Sequence, residues 1–332
     1  MTHERRASTT LKNKQMKKNN ILIAVLIGLI LLFVTTNYFK KNSSANFKAE
    51  VIQLDSSQVD KITIHPALTI KEDPIIISRE TNGWQVAQGH IKTMANQSTV
   101  RTALGQLEHI KTEQLVAKTK DKWGTYELTD SLAQCVEIKE KGKEKTTKLY
   151  FGKTTYKQSL NSGYGGQPSM DASTYFRLKG NPKTYATKSG LSSTFKRKFN
   201  TWRNSEFIKV DKDLITQLKF ETGNEEFSIT KKDSVWTMGT VSTDSTKVAQ
   251  YLNTLRSQNS SQFTDGFTPK DKADYKLTIK SNSMEDLIVK VYRDSTGNKF
   301  IMNASQHPNV FVESDSTGLF KRLFMSQDHF SK

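Results

Sequence analysis

The sequence predicts an α+β chain: one N-terminal transmembrane helix, then a tandem-duplicated domain in which each half is an antiparallel β-sheet with a packed helix. Three observations carry this. An uncharged stretch, Ile21–Phe39, lies near the N-terminus. Beyond it, the order strand, hairpin with a returning tryptophan, amphipathic helix occurs twice. Turn-separated strands then follow each helix, which is the pattern of a helix packed on one face of an antiparallel sheet.

The apolar stretch comes first. Ile21 to Val34 are all apolar or Gly, and Thr35–Phe39 extends the run to nineteen uncharged residues. At about 1.5 Å per residue this spans roughly 28 Å, close to a bilayer's hydrocarbon thickness. As a membrane anchor it presents Ile21, Leu26, Leu31 and Phe33 to lipid and Tyr38 at the interface. Arg5, Arg6, Lys12, Lys14, Lys17 and Lys18 precede it against Glu4 alone. By the positive-inside rule residues 1–20 form a cytoplasmic tail and the C-terminal domain is periplasmic or otherwise extracytoplasmic. The expected location is the cytoplasmic (inner) membrane, single-pass, with the lipid bilayer as one partner. A cleaved signal peptide is the competing reading; the long basic region and the lack of a small-x-small cleavage site favour retention.

Composition bounds the rest. The 332 residues hold 50 Lys+Arg against 33 Asp+Glu, a net charge of +17, and +12 remains beyond the first twenty. With 35% apolar and 25% charged residues the chain is neither a multi-span membrane protein nor wholly disordered. One cysteine excludes an intramolecular disulfide and a multi-cysteine metal cluster. An exported basic domain faces anionic headgroups or wall polymer rather than nucleic acid, unless the lysines only solvate the surface.

The duplication is read element by element. Val59, Ile62 and Ile64 match Ile215, Leu218 and Phe220 as first strands. Ile75–Ile77, a turn at Thr81–Gly83 and Trp84 match Phe227, Ile229, a turn at Asp233–Ser234 and Trp236. Val100, Ala103, Leu104 and Leu107 form a helical stripe behind Asn96 and Ser98; Val248, Tyr251, Leu252 and Leu255 repeat it behind Asp244 and Ser245. The offset drifts from 156 (59 to 215) to 152 (84 to 236) to 148 (100 to 248), as loop insertions and deletions would make it. The expected boundaries are a juxtamembrane linker over 40–58, a first repeat over 59–190, a connector over 191–211, a second repeat over 212–326 and a tail over 327–332.

Candidate chemistry is sparse. The six histidines fall in no metal-binding spacing. Cys135 alternates with apolar residues, as a small buried group does. Asp294-Ser295-Thr296-Gly297 and Asp315-Ser316-Thr317-Gly318 read as type I turns, since aspartic proteases place Gly two residues after the acid. No catalytic, cofactor or metal residue is assigned. Two segments are candidates for an interaction surface: the glycine-rich run Asn161–Pro168 with Tyr164, and Phe195–Arg203. In the second, Phe195, Phe199 and Trp202 share a helical face, with Lys196, Arg197, Lys198 and Arg203 alongside. Those aromatics pack between the halves, or the cations dock on a membrane or an acidic partner.

The order of these motifs resembles the bacterial domain of unknown function 4340 family. TNGWQV, TALGQL, Tyr150-Phe151-Gly152 and STYFRL match its pattern; WGTYEL, Trp123 to Leu128, stands where the family carries Tyr-Gly-Leu. The resemblance runs from Val59 to Phe324. It implies a membrane-anchored envelope protein, encoded beside ABC-type transporters including gliding-motility systems. The expected function is therefore non-enzymatic: an exported domain that mediates protein–protein interaction, accessory to an ABC-type transport or gliding-motility complex, with no nucleic acid. The alternative is a module binding anionic wall glycan or lipid through its basic surface.

Overall fold

A computed structural model describes residues 25–35, 52, 54–108, 110, 112–159, 169–188, 190–223, 225–282, 285–294 and 296–332. Residues 25–35 form helix α1, with every side chain exposed. Beyond it the chain builds two large antiparallel sheets and a small third one.

The first sheet contains β1 (Val59–His65), β2 (Ile75–Glu80), β3 (Gly83–Gln88), β4 (Ile91–Met94), β5 (Gln114–Ala117), β6 (Gln134–Glu140), β7 (Thr147–Ser159), β8 (Ser169–Leu178) and β9 (Thr184–Thr187), in the order β4-β3-β2-β1-β6-β7-β8-β9-β5. Period-two alternation turns Ile62, Ile64, Ile77, Val86, Val136 and Ile138 to one face. Helix α2 (Gln97–Glu108) covers that face with Val100, Ala103, Leu104 and Leu107. Its start is set by Asn96, whose Oδ1 accepts the Thr99 amide at 3.1 Å. Two short helices, α3 (Leu191–Phe195) and α4 (Phe199–Trp202), close the same core.

The small sheet pairs β10 (Glu206–Lys209) with a later strand, β15 (Ser257–Asn259). The other large sheet contains β11 (Ile215–Thr222), β12 (Glu225–Lys232), β13 (Val235–Met238), β14 (Val241–Ser242), β16 (Tyr275–Ser281), β17 (Leu287–Arg293), β18 (Phe300–Ala304) and β19 (Phe311–Ser314). Its order, β14-β13-β12-β11-β16-β17-β18-β19, is that of the first sheet. The likeness extends to the edge: Phe263 bridges Val312 beside β19, just as β5 lies beside β9. Helix α5 (Ser245–Leu255) takes the place of α2, capped by Asp244. Finally α6 (Leu319–Leu323) and α7 (Gln327–Phe330) stand to α3 and α4 at one constant offset of 128 residues (191 to 319, 199 to 327). The Asn96 amide donates to the Trp202 carbonyl, and the Asp244 amide to that of Phe330, so even this contact is repeated.

The structure corrects the expected fold class. Strands take 41% and helices 21% of the described residues, in three sheets, so the protein is mostly β. Among the described residues each half has one helix of more than two turns, and its other helices are single turns. Nor does any helix among the described residues have the length and apolarity to cross a membrane. The eleven residues of α1 span about 16 Å, roughly half a hydrocarbon core. Leu26, Leu31 and Phe33 of the expected transmembrane helix are exposed on α1; Ile21 and Tyr38 lie outside the described residues.

Two boundaries also move. Ile52 and Leu54, placed by sequence in a linker, are buried in the first core. They precede β1 as Ile208 and Val210 precede β11, again by 156 residues. Leu191, Phe195, Phe199 and Trp202, read as a connector, belong to the first core as well. The two cores divide between Trp202 and Phe207.

Candidate interaction groove

Two places distinguish the first half from the second. β1 and β2 are joined by residues 66–74, where β11 and β12 need only residues 223–224. β7 and β8 are also longer, 13 and 10 residues against 7 and 5 in β17 and β18. Past Thr154 and Thr174 these two strands pair with each other and, among the described residues, with no other strand, forming a projecting two-stranded arm.

The arm starts at a β-bulge. The register shifts between Phe151 and Thr154, so β7 carries one extra residue there and bends away. Gly152 makes this possible. A Cβ at that position would lie 2.1 Å from the Tyr126 carbonyl oxygen, a contact no side-chain-bearing residue can make. The Lys153 amide donates to the same carbonyl at 3.1 Å. The turn from Trp123 to Leu128 is thus docked on the bulge.

Arg177 holds that turn from beneath. Its guanidinium lies over Tyr150 at 3.6 Å and Trp123 at 4.0 Å, and its Nε donates to the Leu128 carbonyl at 2.7 Å. A further hydrogen bond runs to Asp130. Glu127 is consequently fixed with φ 57°, in the left-handed region, at a cost of roughly 1–2 kcal/mol for an L-residue. Strain of this kind, over-determined by its surroundings, clusters at functional sites.

A cleft of about 480 Å³ opens beside this junction. Ile64, Ile75 and Phe151 line it, with Leu132 and the 66–73 loop on one side and Lys196–Lys198 on another. Ile70 and Leu132, both lining the cleft, are 50% and 45% exposed, and Leu68 in the same loop is 76% exposed. Across Glu127 and Lys196, which line both, it continues into a recess of about 440 Å³ against the arm. The face of the arm that meets this recess is set by register: Thr154 opposes Thr174, and Tyr156 opposes Ala172. The groove's charges are unspent. Among the described residues Lys153, Lys196, Arg197 and Lys198 pair with no carboxylate, and Glu72, Asp73 and Glu127 with no cation.

Of the expected surface cations, Lys196, Arg197 and Lys198 therefore do line a groove. Arg203 does not. It is 3% exposed, with its guanidinium 3.7 Å over Phe263 and bonded to Asp265 at 2.7 Å. The aromatics beside it draw the chain inward: Phe195 stacks on Phe151 at 5.8 Å and on Trp202 at 6.1 Å. Tyr164 and the glycine-rich run lie outside the described residues. Sequence reasoning missed Leu68, Ile70, Glu127, Leu132 and Lys153. Its available signal was the segment PALTIKEDP, where apolar residues between two prolines fit neither helix nor strand periodicity.

Elsewhere the chemistry is structural. Burial pushes the Cys135 thiol up, away from the thiolate a nucleophile needs. The Asp294 and Asp315 carboxylates are held low by bonds to their own turns, first of all to Thr296 and Thr317. Among the described residues no group of three or more His, Cys, Asp or Glu is placed to hold a metal ion.

The family described as Domain of unknown function (DUF4340) matches residues 84–279, more than half of the chain, from the tryptophan of β3 to β16. No curated protein and no solved structure matches.

Proposed function

The chain belongs to the DUF4340 family, and from that premise we propose that it is a non-enzymatic binding module of the cell envelope whose groove takes hold of another protein. The observation that carries this reading is where the groove lies. It is assembled from the parts that the first half adds to a topology otherwise shared by both halves: the 66–74 loop and the lengthened β7–β8 arm. A duplicated scaffold keeps its core positions for stability, and function is grafted onto the loops that diverge. Apolar groups at the centre and charged groups at the rim are the anatomy of a protein interface. Accessory service to an ABC-type transporter or a gliding-motility complex is the setting that the family resemblance implies.

The test places a photo-cross-linking residue at Ile70 or Leu132, in intact cells, with Val241 on the second half's edge as the control. The expected outcome is one protein captured at the first two sites and not at Val241. Equal capture at all three, or capture at Val241 alone, would sink the proposal.

A second reading is favoured by one observation: Lys196, Arg197 and Lys198 are consecutive and unpaired, as an anionic polymer or headgroup requires. Burial of Arg203 takes away one of its four cations. Sedimentation with anionic vesicles or wall polymer decides it, since binding of this kind falls steeply with salt.

A further inference from the structure

Resting on that reading, we infer that the groove receives an extended segment of a partner protein carrying an apolar side chain beside a carboxylate. The apolar group enters the cleft over Ile64, Ile75 and Phe151. The carboxylate lodges in the adjoining recess between Lys153 and Lys196.

The two ends of the groove differ in chemistry, and that difference orients the occupant. The cleft is floored by aliphatic and aromatic carbon. The recess is lined by hydroxyls of Thr154, Thr174, Ser192 and Ser193 and by two ammonium groups. Lys196 stands at the seam, its Nζ 3.5 Å from the Gly152 carbonyl, and Lys153 lies 5.7 Å over the Tyr126 ring. Neither contact neutralises a charge. Ser192, 3% exposed, also lines the recess. A carboxylate has acceptors for both ammonium groups. Glu127 faces the same seam, so the balance there is two cations to one acid, and the acid opposes the occupant. An extended backbone suits the site because residues 169–173 of β8 pair, among the described residues, only with β7 and leave an edge to which a strand can add.

The test pans a displayed random-peptide library on the full chain in mild detergent, then measures the enriched peptides one by one. Expected are sequences with Leu, Ile, Phe or Trp adjacent to Glu or Asp. Lys196→Glu should weaken them at least tenfold, and changing the peptide's acid to Lys should restore binding to that variant. Glu127→Gln should tighten the original peptides, by removing the opposing charge. Peptides with an apolar residue but no acid, unaffected by Lys196→Glu yet blocked by Leu132→Arg, overturn this inference and leave the groove reading standing. Acidic peptides with no apolar neighbour point to a polyanion and overturn it as well. No enrichment, or enrichment indifferent to both Leu132→Arg and Lys196→Glu, overturns both. All three variants alter exposed side chains, and an unchanged thermal transition confirms their folding.

Discussion

Tyr251 is the residue whose surroundings dictate its behaviour most completely. It sits at the centre of the second core, against Phe220 and Phe330, and its hydroxyl donates to the Leu323 carbonyl. Burial alone drives its pKa far above the ordinary value for a phenol. The sign follows from linkage. The unfolded chain loses this proton near pH 10 while the folded chain keeps it, so the contribution is complete below about pH 10 and declines above it. The decline is about 1.4 kcal/mol per pH unit while only the unfolded state is ionised. Tyr251→Phe strands the Leu323 carbonyl and should lower stability at pH 7 by about 1–2 kcal/mol. It should also flatten the loss between pH 10 and 11, to what the other raised groups, Cys135, Tyr150 and Tyr292 by burial and Lys148, Lys219 and Lys299 by their carboxylate partners, still produce. Urea midpoints at pH 7, 10 and 11 check both effects, and parallel curves for the two proteins would contradict the second.

At the scale of elements, the β7–β8 arm separates what stabilises the fold from what serves the groove. Beyond the Thr154–Thr174 pair no described residue of the arm belongs to either core. The second half closes the same hairpin at Arg293 and Phe300 without one. Replacing residues 155–173 by an Asn-Gly turn should therefore leave the denaturant midpoint within about 0.5 kcal/mol of the parent, as surface changes do. It should abolish cross-linking through Leu132 if the occupant lies along the arm. Unfolding of the shortened chain would mean that the arm is part of the scaffold. The same contrast explains what could be read from the residues in order. β1, β11 and the stripes of α2 and α5 were legible because burial imposes a period of two or 3.6 on neighbours. Leu68 and Ile70 obey no period, being exposed. Glu127 acquires its place from a bulge at Gly152 and a cation at Arg177, both distant in the chain. Arg203 reads as a surface cation until Asp265, 62 residues on, is brought to it.

That last contact governs the whole molecule. The two cores share no member, and the chain passes between them at Trp202–Phe207. Arg203 belongs to both sides. Its backbone bridges Ala95 of the first half, and its side chain reaches Phe263 and Asp265 of the second. The pair is incompletely satisfied, since Arg203 Nε is buried with no partner among the described residues. A pair of this kind stabilises little against apolar replacement, but removing one partner leaves a buried charge uncompensated. Asp265 is a third exposed, so water offsets part of that penalty. Asp265→Ala should cost about 1–3 kcal/mol, and Arg203→Met combined with Asp265→Ala should cost less than Asp265→Ala alone. Because the guanidinium is the latch between halves, the single variant should also unfold in two steps. Three tryptophans, Trp84, Trp123 and Trp202, report on the first half and Trp236 on the second. Fluorescence and far-ultraviolet dichroism in urea should then part company for Asp265→Ala and coincide for the parent. Coincident curves for both, with the double variant the less stable, would place the coupling between the halves elsewhere. Separation would make the orientation of the second half adjustable through a single ion pair.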